Sequence, residues 1–506
     1  MLRERKTLAL TLLLLSITLS LSTPKSWQAS DYESIAVDYV SSQYGIPKEN
    51  LVVQGNFTRF PLTNVVLWAG KVIDVSTHKE YGVYVDEGGK VVPDLSAIKK
   101  AEQAKYVEVH GRMSSNAVTA LATATSSQYV DAAIWINATL TYPSRELPRD
   151  QQLAYVQDQV NSLTKPAVDY LTQNGYTIEY VSKFAPLIFA TIRADTMTAL
   201  ARDSSLISQL GIGFVDTNQK NGNYSMDSMK RSVLQNVVMD TYGYDGSTGN
   251  LCNMNNPVRV AVLEGDGVYN GNPYLPSVQY YNSGTPNIGE HATHVAGVVA
   301  ETGPNGLNGK VAQDFRGMAP GAVILSANPG DYSDAHLVAA SDWAVTNCAD
   351  IINHSYWDGS WTFNAFTAYI DSLEWIGVLN VAATANTSNI YGYCPSYPTQ
   401  CYYVANPGLA GNALTAGSFT DQNTPEWSGD SFSAFSLYDD TQSGLSPHGD
   451  YNKPDALAIG ERVHAAAWSS SLPVSGEYAG TSFSSPQTAG LAATLVDLSL
   501  IHISEP

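Results

Sequence analysis

Apolar positions along the chain follow three successive rhythms. From Tyr32 to Tyr44 they recur at helical spacing. They then alternate with polar residues in Val65-Val-Leu-Trp-Ala-Gly-Lys-Val72 and Tyr81-Gly-Val-Tyr-Val85, and Asp86-Glu-Gly-Gly89 reads as a hairpin turn before Lys90-Val-Val92. This pattern predicts a small α+β module over residues 30–105. The stretch Met113–Gln128, rich in Ser, Thr and Ala, reads as a linker. The second rhythm, over 128–216, predicts a strand Tyr129–Leu140, a helix Asp150–Gln173, strands Thr177–Val181 and Pro186–Ile192, a helix Asp195–Arg202 and a strand Gly211–Val215. That order is β-α-β-β-α-β.

From about residue 226 to 497 the rhythm changes again. Unbroken apolar runs at Val258–Leu263, Ala322–Ala327, Asp350–Asn353 and Val378–Ala383 alternate with helical stretches after His291, over Asp334–Thr346 and after Thr481. Short buried strands alternating with helices predict an α/β unit: a parallel sheet with helices on both faces, preceded by the two small α+β modules. In such a sheet, reactive groups collect at the carboxyl ends of the strands.

Composition narrows the reading. The 506 residues carry 27 Lys+Arg against 47 Asp+Glu, a net charge of −20, and no basic tract follows the first six residues. A nucleic-acid partner is therefore not expected, because binding phosphates requires clustered cations. The N-terminus has a basic start, an apolar run from Thr7 to about Leu21, and small residues before Thr23-Pro24. It reads as a signal peptide over 1–22, and predicts an extracellular protein with no membrane segment in its mature form. Export permits disulfides. The four cysteines allow three pairings; Cys394 and Cys401, flanking a short loop, are expected to pair, which leaves Cys252 with Cys348. Asn-x-Ser/Thr sequons occur at Asn56, Asn137, Asn223, Asn353 and Asn386.

Three segments carry the candidate chemistry: the strand end Val258-Arg-Val-Ala-Val-Leu-Glu-Gly-Asp-Gly267, the helix start His291-Ala-Thr-His-Val-Ala-Gly297, and Gly480-Thr-Ser-Phe-Ser-Ser-Pro-Gln-Thr-Ala-Gly490. In the third, Pro486 suits a first helical turn and places the Ser482 hydroxyl at a helix N-terminus, where backbone N–H groups and the dipole favour negative charge. Acid, then His, then Ser is one of the known chain orders of a catalytic triad. Together the segments resemble the subtilisin-like serine proteases (subtilases, peptidase S8) over about residues 226–497. His291-Ala-Thr-His-Val-Ala-Gly is similar to their His-Gly-Thr-His-Val-Ala-Gly, and Gly480-Thr-Ser-Phe-Ser-Ser-Pro to their Gly-Thr-Ser-Met-Ala-Ala-Pro.

The resemblance implies a serine endopeptidase with Ser482 as nucleophile and His291 as general base, His294 being structural. It implies that Asn386, in Val381-Ala-Ala-Thr-Ala-Asn386, stabilises the oxyanion with the Ser482 N–H. It implies also that Ser355, Tyr356 and Trp357 line the first specificity pocket. The family's aspartate falls on Glu264, and Asp266, with the same strand parity, is the alternative acid that a local bulge could present. Sedolisin relatives use a Glu–Asp pair on a helix without this histidine motif, so they fit less well. The resemblance further makes 128–216 an inhibitory propeptide, with maturation between about Asp216 and Arg231, and implies further helices after residue 506. Expected partners are protein or peptide substrates and the chain's own propeptide, with the mature enzyme a monomer. No cofactor is expected; the resemblance leaves calcium open, since it is frequent in the family, but no loop here carries a readable calcium motif. The competing reading is a silent pseudo-protease with a binding role, suggested by Glu264 and by Ala292 in place of glycine.

Overall fold

A computed structural model describes residues 29–503 except 78, 142, 144–146, 219–244, 282–286, 304–315, 361, 387–403, 421–429, 439–452 and 469–477. The signal segment, the expected maturation site, the Cys394/Cys401 pair and Asn223 lie outside the described residues. Contacts divide the chain into two bodies, one ending at Leu95 and one formed by 61–63 and the residues from Ser96 onward. The first body thus ends ten residues before the expected boundary, because Ser96–His110 is one continuous helix.

In the first body, helix α1 (Ala29–Tyr44) covers an antiparallel sheet of β1 (Leu51–Phe60), β2 (Val65–Asp74) and β3 (Lys79–Asp86). Tyr32, Ala36 and Val40, four residues apart on one helix face, are buried against Trp68, Val72, Val83 and Val85. The Trp68 ring lies flat over two glycines: a Cβ at Gly55 or Gly70 would come within 2.3 or 2.1 Å of it.

The second body begins with α2 (Ser96–His110) and α3 (Ser115–Thr123). The expected linker is therefore largely a helix. Ser114 caps it by accepting the Ala117 N–H at 3.0 Å, and Ala117 is fully buried, so the alanines that read as low complexity serve helix formation and packing. Next come β4 (Tyr129–Ile136), α4 (Arg149–Gln173), β5 (Thr177–Val181), β6 (Leu187–Arg193), α5 (Ala194–Arg202), α6 (Ser204–Leu210) and β7 (Ile212–Thr217). Their antiparallel sheet has the order β5-β6-β4-β7. This is the expected β-α-β-β-α-β order with one extra short helix, α6, which the Asp203 side chain caps.

The rest of the body is built on an eight-stranded sheet. After a small ribbon of β8 (Gly249–Asn250) and β9 (Asn253–Pro257) come β10 (Arg259–Leu263), β11 (Val278–Tyr280), α7 (Glu290–Ala300), β12 (Val323–Ala327), α8 (Asp334–Thr346), β13 (Ile351–His354), α9 (Ala365–Leu373), β14 (Leu379–Ala383), β15 (Leu414–Thr420), β16 (Ser431–Phe432) and β17 (Ala456–Ile459). β18 (Glu461–Val463) and β19 (Tyr478–Ala479) form a second ribbon before α10 (Thr481–Ile503). The sheet order is β11-β12-β10-β13-β14-β15-β16 with β17 beside β15, and every pairing except β15–β16 is parallel.

Alternation along the strands serves two helical layers. Val260 and Val262 face α7 and α10, while Ala261 and Leu263 face α8 and α9. Gly490 lets α10 approach closely: a Cβ there would lie 2.5 Å from that of Met318 and 3.2 Å from the Val299 carbonyl. The layer of α8 and α9 does not end at the sheet. Val156, Val160, Phe184, Leu187 and Phe189 of the β4–β7 unit belong to the same core as Leu337, Val338, Phe366 and Tyr369. Cys252 and Cys348 form a disulfide, as expected.

Candidate active site

The first residue past β10 is Glu264, wholly buried at the carboxyl edge of the sheet. Facing it, His291 occupies the first turn of α7, with its Nδ1 3.0 Å from Glu264 Oε2. The start of α7 is tied to the loop after β10: Thr293 Oγ1 donates to the Gly289 carbonyl at 2.7 Å and accepts the Tyr269 N–H at 2.9 Å. Of the two candidate acids, Glu264 is the one bonded to the imidazole. Asp266 lies nearby, its pKa pushed up to about 6 by burial and by the charge of Glu264.

Ser482 is the second residue of α10, where the helical N–H groups have no intrahelical acceptors. Its hydroxyl is buried and receives no hydrogen bond, while the Phe483 ring next to it meets His291 edge-on at a centroid distance of 5.6 Å. Asn386 reaches the same helix start. Its Oδ1 accepts the Thr481 N–H at 2.9 Å and the Thr481 hydroxyl at 3.1 Å, which fixes the carbonyl end of the amide and turns the Nδ2 donor to the other side. Sequence reasoning passed over Thr481 as an orienting group, although its place in Gly-Thr-Ser was the available signal. A second tie, from Ser485 Oγ to Asn353 Oδ1 at 2.7 Å, holds α10 to β13.

The His294 ring lies tilted against that of Tyr478, centroids 4.4 Å apart, and burial, followed by the nearby His291, lowers its pKa to about 3. Both effects favour its neutral form. Of the three expected pocket residues, Ser355 is buried and accepts from Asn353 Nδ2 at 2.8 Å. Tyr356 turns into the core, its ring 4.8 Å from that of Tyr332 and its hydroxyl 2.9 Å from His354 Nδ1. Only Trp357, half-buried, offers appreciable surface. The burial of Asn353, whose amide is used on both sides, also leaves that sequon no room for a glycan.

Ala385, just before Asn386, has φ 71°, a left-handed conformation in which a Cβ is strained. Ala385→Gly removes that strain at the cost of extra freedom in the unfolded chain, so a net gain of about 1 kcal/mol is expected. The measurement is a thermal melt, with a rise of roughly 2–4 °C. A lower melting temperature would contradict the left-handed assignment.

A profile of the subtilase family matches residues 244–500, just over half of the chain. Subtilisin E of Bacillus subtilis (strain 168) is 23% identical over 351 residues, covering 65% of this chain and 75% of the relative. Fervidolysin of Fervidobacterium pennivorans is 29% identical over 140 residues, covering 26% of this chain and 19% of the relative. Among solved structures, the prenylagaramide maturation protease PagA aligns with a TM-score of 0.38 and 21% identity, covering 53% of this chain and 83% of that one. The family match runs across the whole parallel sheet and both helices that bring His291 and Ser482 to its carboxyl edge, and the chain accordingly belongs to the subtilase family, serine-type endopeptidases whose substrates are proteins or peptides.

Proposed function

We propose that this chain is a secreted serine endopeptidase that works through an acyl-enzyme on Ser482 and is made as a self-processed zymogen. The observation that carries the mechanism is the buried 3.0 Å contact of Glu264 with His291 beside the N-terminus of α10. A carboxylate on Nδ1 selects the tautomer that leaves Nε2 free to accept a proton and stabilises the imidazolium that results. Rotation of the Ser482 side chain toward the imidazole completes the pair; in enzymes without substrate such contacts are commonly long.

His291 then takes the Ser482 proton as the oxygen attacks the scissile carbonyl. The oxyanion is held by the Ser482 N–H and Asn386 Nδ2. His291 returns the proton to the departing amine, leaving an ester on Ser482, and water repeats the sequence to release the acid. No cofactor is invoked.

Contacts of the β4–β7 unit support its role as an inhibitory propeptide. Asp216, just inside the end of β7, accepts the Ala365 N–H at the start of α9 at 3.2 Å, and Asn218 accepts the Ala335 N–H of α8 at 3.3 Å. Both helix starts follow strands of the parallel sheet at its carboxyl edge, so the unit's last strand is delivered to the edge that bears Glu264. Asp342 of α8 accepts the Tyr180 hydroxyl at 2.8 Å, the Lys183 N–H at 2.9 Å and the Tyr369 hydroxyl at 2.9 Å, joining the unit to α8 and α9. Export rests on the N-terminal segment 1–22. Among the described residues, no helix is long and apolar enough to cross a membrane. The mature enzyme acts as a monomer.

The test is intact mass after treatment with a fluorophosphonate. One adduct on the wild-type chain and none on Ser482→Ala is the expected result. A folded wild-type protein that takes up no probe would overturn the acyl-enzyme and leave the silent pseudo-protease.

A further inference from the structure

The helix that carries His291 begins without a cap of its own. Its N-cap residue is Gly289, which has no side chain to receive the free N–H groups of the first turn. The acceptor comes from another element. The Asp266 carboxylate, two residues beyond Glu264, sits against the start of the helix, with its Oδ2 in the space beside Gly289, where a Cβ would lie 1.3 Å from it. The two segments are also zipped by backbone: the Gly267 N–H donates to the Asn287 carbonyl at 2.6 Å and the Gly289 N–H to the Gly267 carbonyl at 2.9 Å. Glycine at 289 and aspartate at 266 are therefore two halves of one fit.

Asp266 offers more than a hydrogen bond. Its Oδ1 is out of contact with solvent and receives no hydrogen bond, as is true of Glu264 Oε1. A wholly buried and a half-buried carboxylate thus follow the same strand, each with a solvent-excluded oxygen that no donor reaches, and His291 is bonded to the first and close to the second. The charged groups facing Asp266 are Glu264 from its own strand end and His291 from α7. The other ionisable groups in the first turns of α7 face elsewhere: Glu290 accepts the Tyr478 hydroxyl at 2.8 Å, and His294 lies tilted against that same ring.

We propose that Asp266 is a positioning residue for His291, capping the helix from which the imidazole projects and adding a second negative charge that favours its protonated form. This rests on the reading of Glu264, His291 and Ser482 given above. The carboxyl of Asp266 is raised to about 6, chiefly by burial. The second charge is therefore present above that pH, where a serine hydrolase needs its imidazolium stabilised, and fades below it.

The experiment is the pH dependence of fluorophosphonate labelling of the full chain, between pH 5 and 9, for wild type, Asp266→Asn and Gly289→Ala. Asp266→Asn keeps an acceptor of the same shape at the helix start and removes the charge. It should label about tenfold more slowly at pH 8, with the acid limb of its profile about one unit lower, the two effects corresponding to one unit of proton affinity. Gly289→Ala keeps the charge but drives the carboxylate from its seat, and it should also label more slowly. Wild-type labelling together with unchanged rates and an unchanged acid limb in both variants would overturn the proposal while leaving the acyl-enzyme intact. An Asp266→Asn chain that slows without moving its acid limb would reduce Asp266 to a structural cap and overturn the charge role. Absence of labelling on folded wild type would instead overturn the underlying reading, and the proposal with it.

Discussion

Ser482→Ala is expected to lower kcat for a peptide substrate by on the order of 10⁶-fold, the size found when the serine or histidine of such a unit is removed in subtilisin. His291→Ala should do the same, and the double variant should lose little more, because each residue is useless without the other. Residual hydrolysis above the uncatalysed rate should survive, since the Asn386 amide and the first-turn N–H groups of α10 remain. A Ser482→Ala protein within tenfold of wild type would place the nucleophile elsewhere.

Glu264→Gln has the second largest expected effect, about 10⁴-fold in kcat with KM little changed. Glutamine preserves shape at a wholly buried position, but its amide N–H can donate a hydrogen bond to Nδ1, which stabilises the wrong tautomer, and it lacks the charge that supports the imidazolium. The other nearby carboxylate, Asp266, has its Oδ2 against Gly289 at the start of α7. Glu264→Asp is the informative companion. It restores the charge but shortens the reach by one methylene, so its activity should fall between those of wild type and Glu264→Gln. An aspartate variant as active as wild type would show that the strand end adjusts freely. A glutamine variant as active as wild type would transfer the role of acid to Asp266.

Much of this architecture could be read from short-range pattern. Strands β10, β12, β13 and β14 are buried on both faces, and continuous apolar runs betray them; His291 and Ser482 sit in contiguous motifs at helix starts. The choice between Glu264 and Asp266 could not be made in the same way. Both have the same strand parity, and what separates them is the approach of α7 across a gap of more than twenty residues. Helix α9 went unread although Asn364 and Thr367 form a reciprocal capping box, because its apolar face is matched to two partners and blurs the period. Tyr356 follows Ser355 directly, yet its ring faces the core against Tyr332; a strand end gives adjacency, not the direction in which the backbone turns next.

The core shared by the β4–β7 unit and helices α8 and α9 has a consequence for how the enzyme would be switched on. If the β4–β7 unit is the inhibitory propeptide proposed above, a cut between about Asp216 and Arg231 changes connectivity but removes none of those contacts. What it would change is effective concentration: before the cut, the β4–β7 unit is held at the local concentration set by the intervening chain, and afterwards by its own affinity alone. Activation is then two events of different kinetic order. The first is a cleavage independent of how dilute the protein is, and the second a dissociation whose extent depends on volume. A protein exported into open surroundings would complete the second step by dilution, whereas the same cut in a confined compartment would leave the enzyme occupied by its own detached segment.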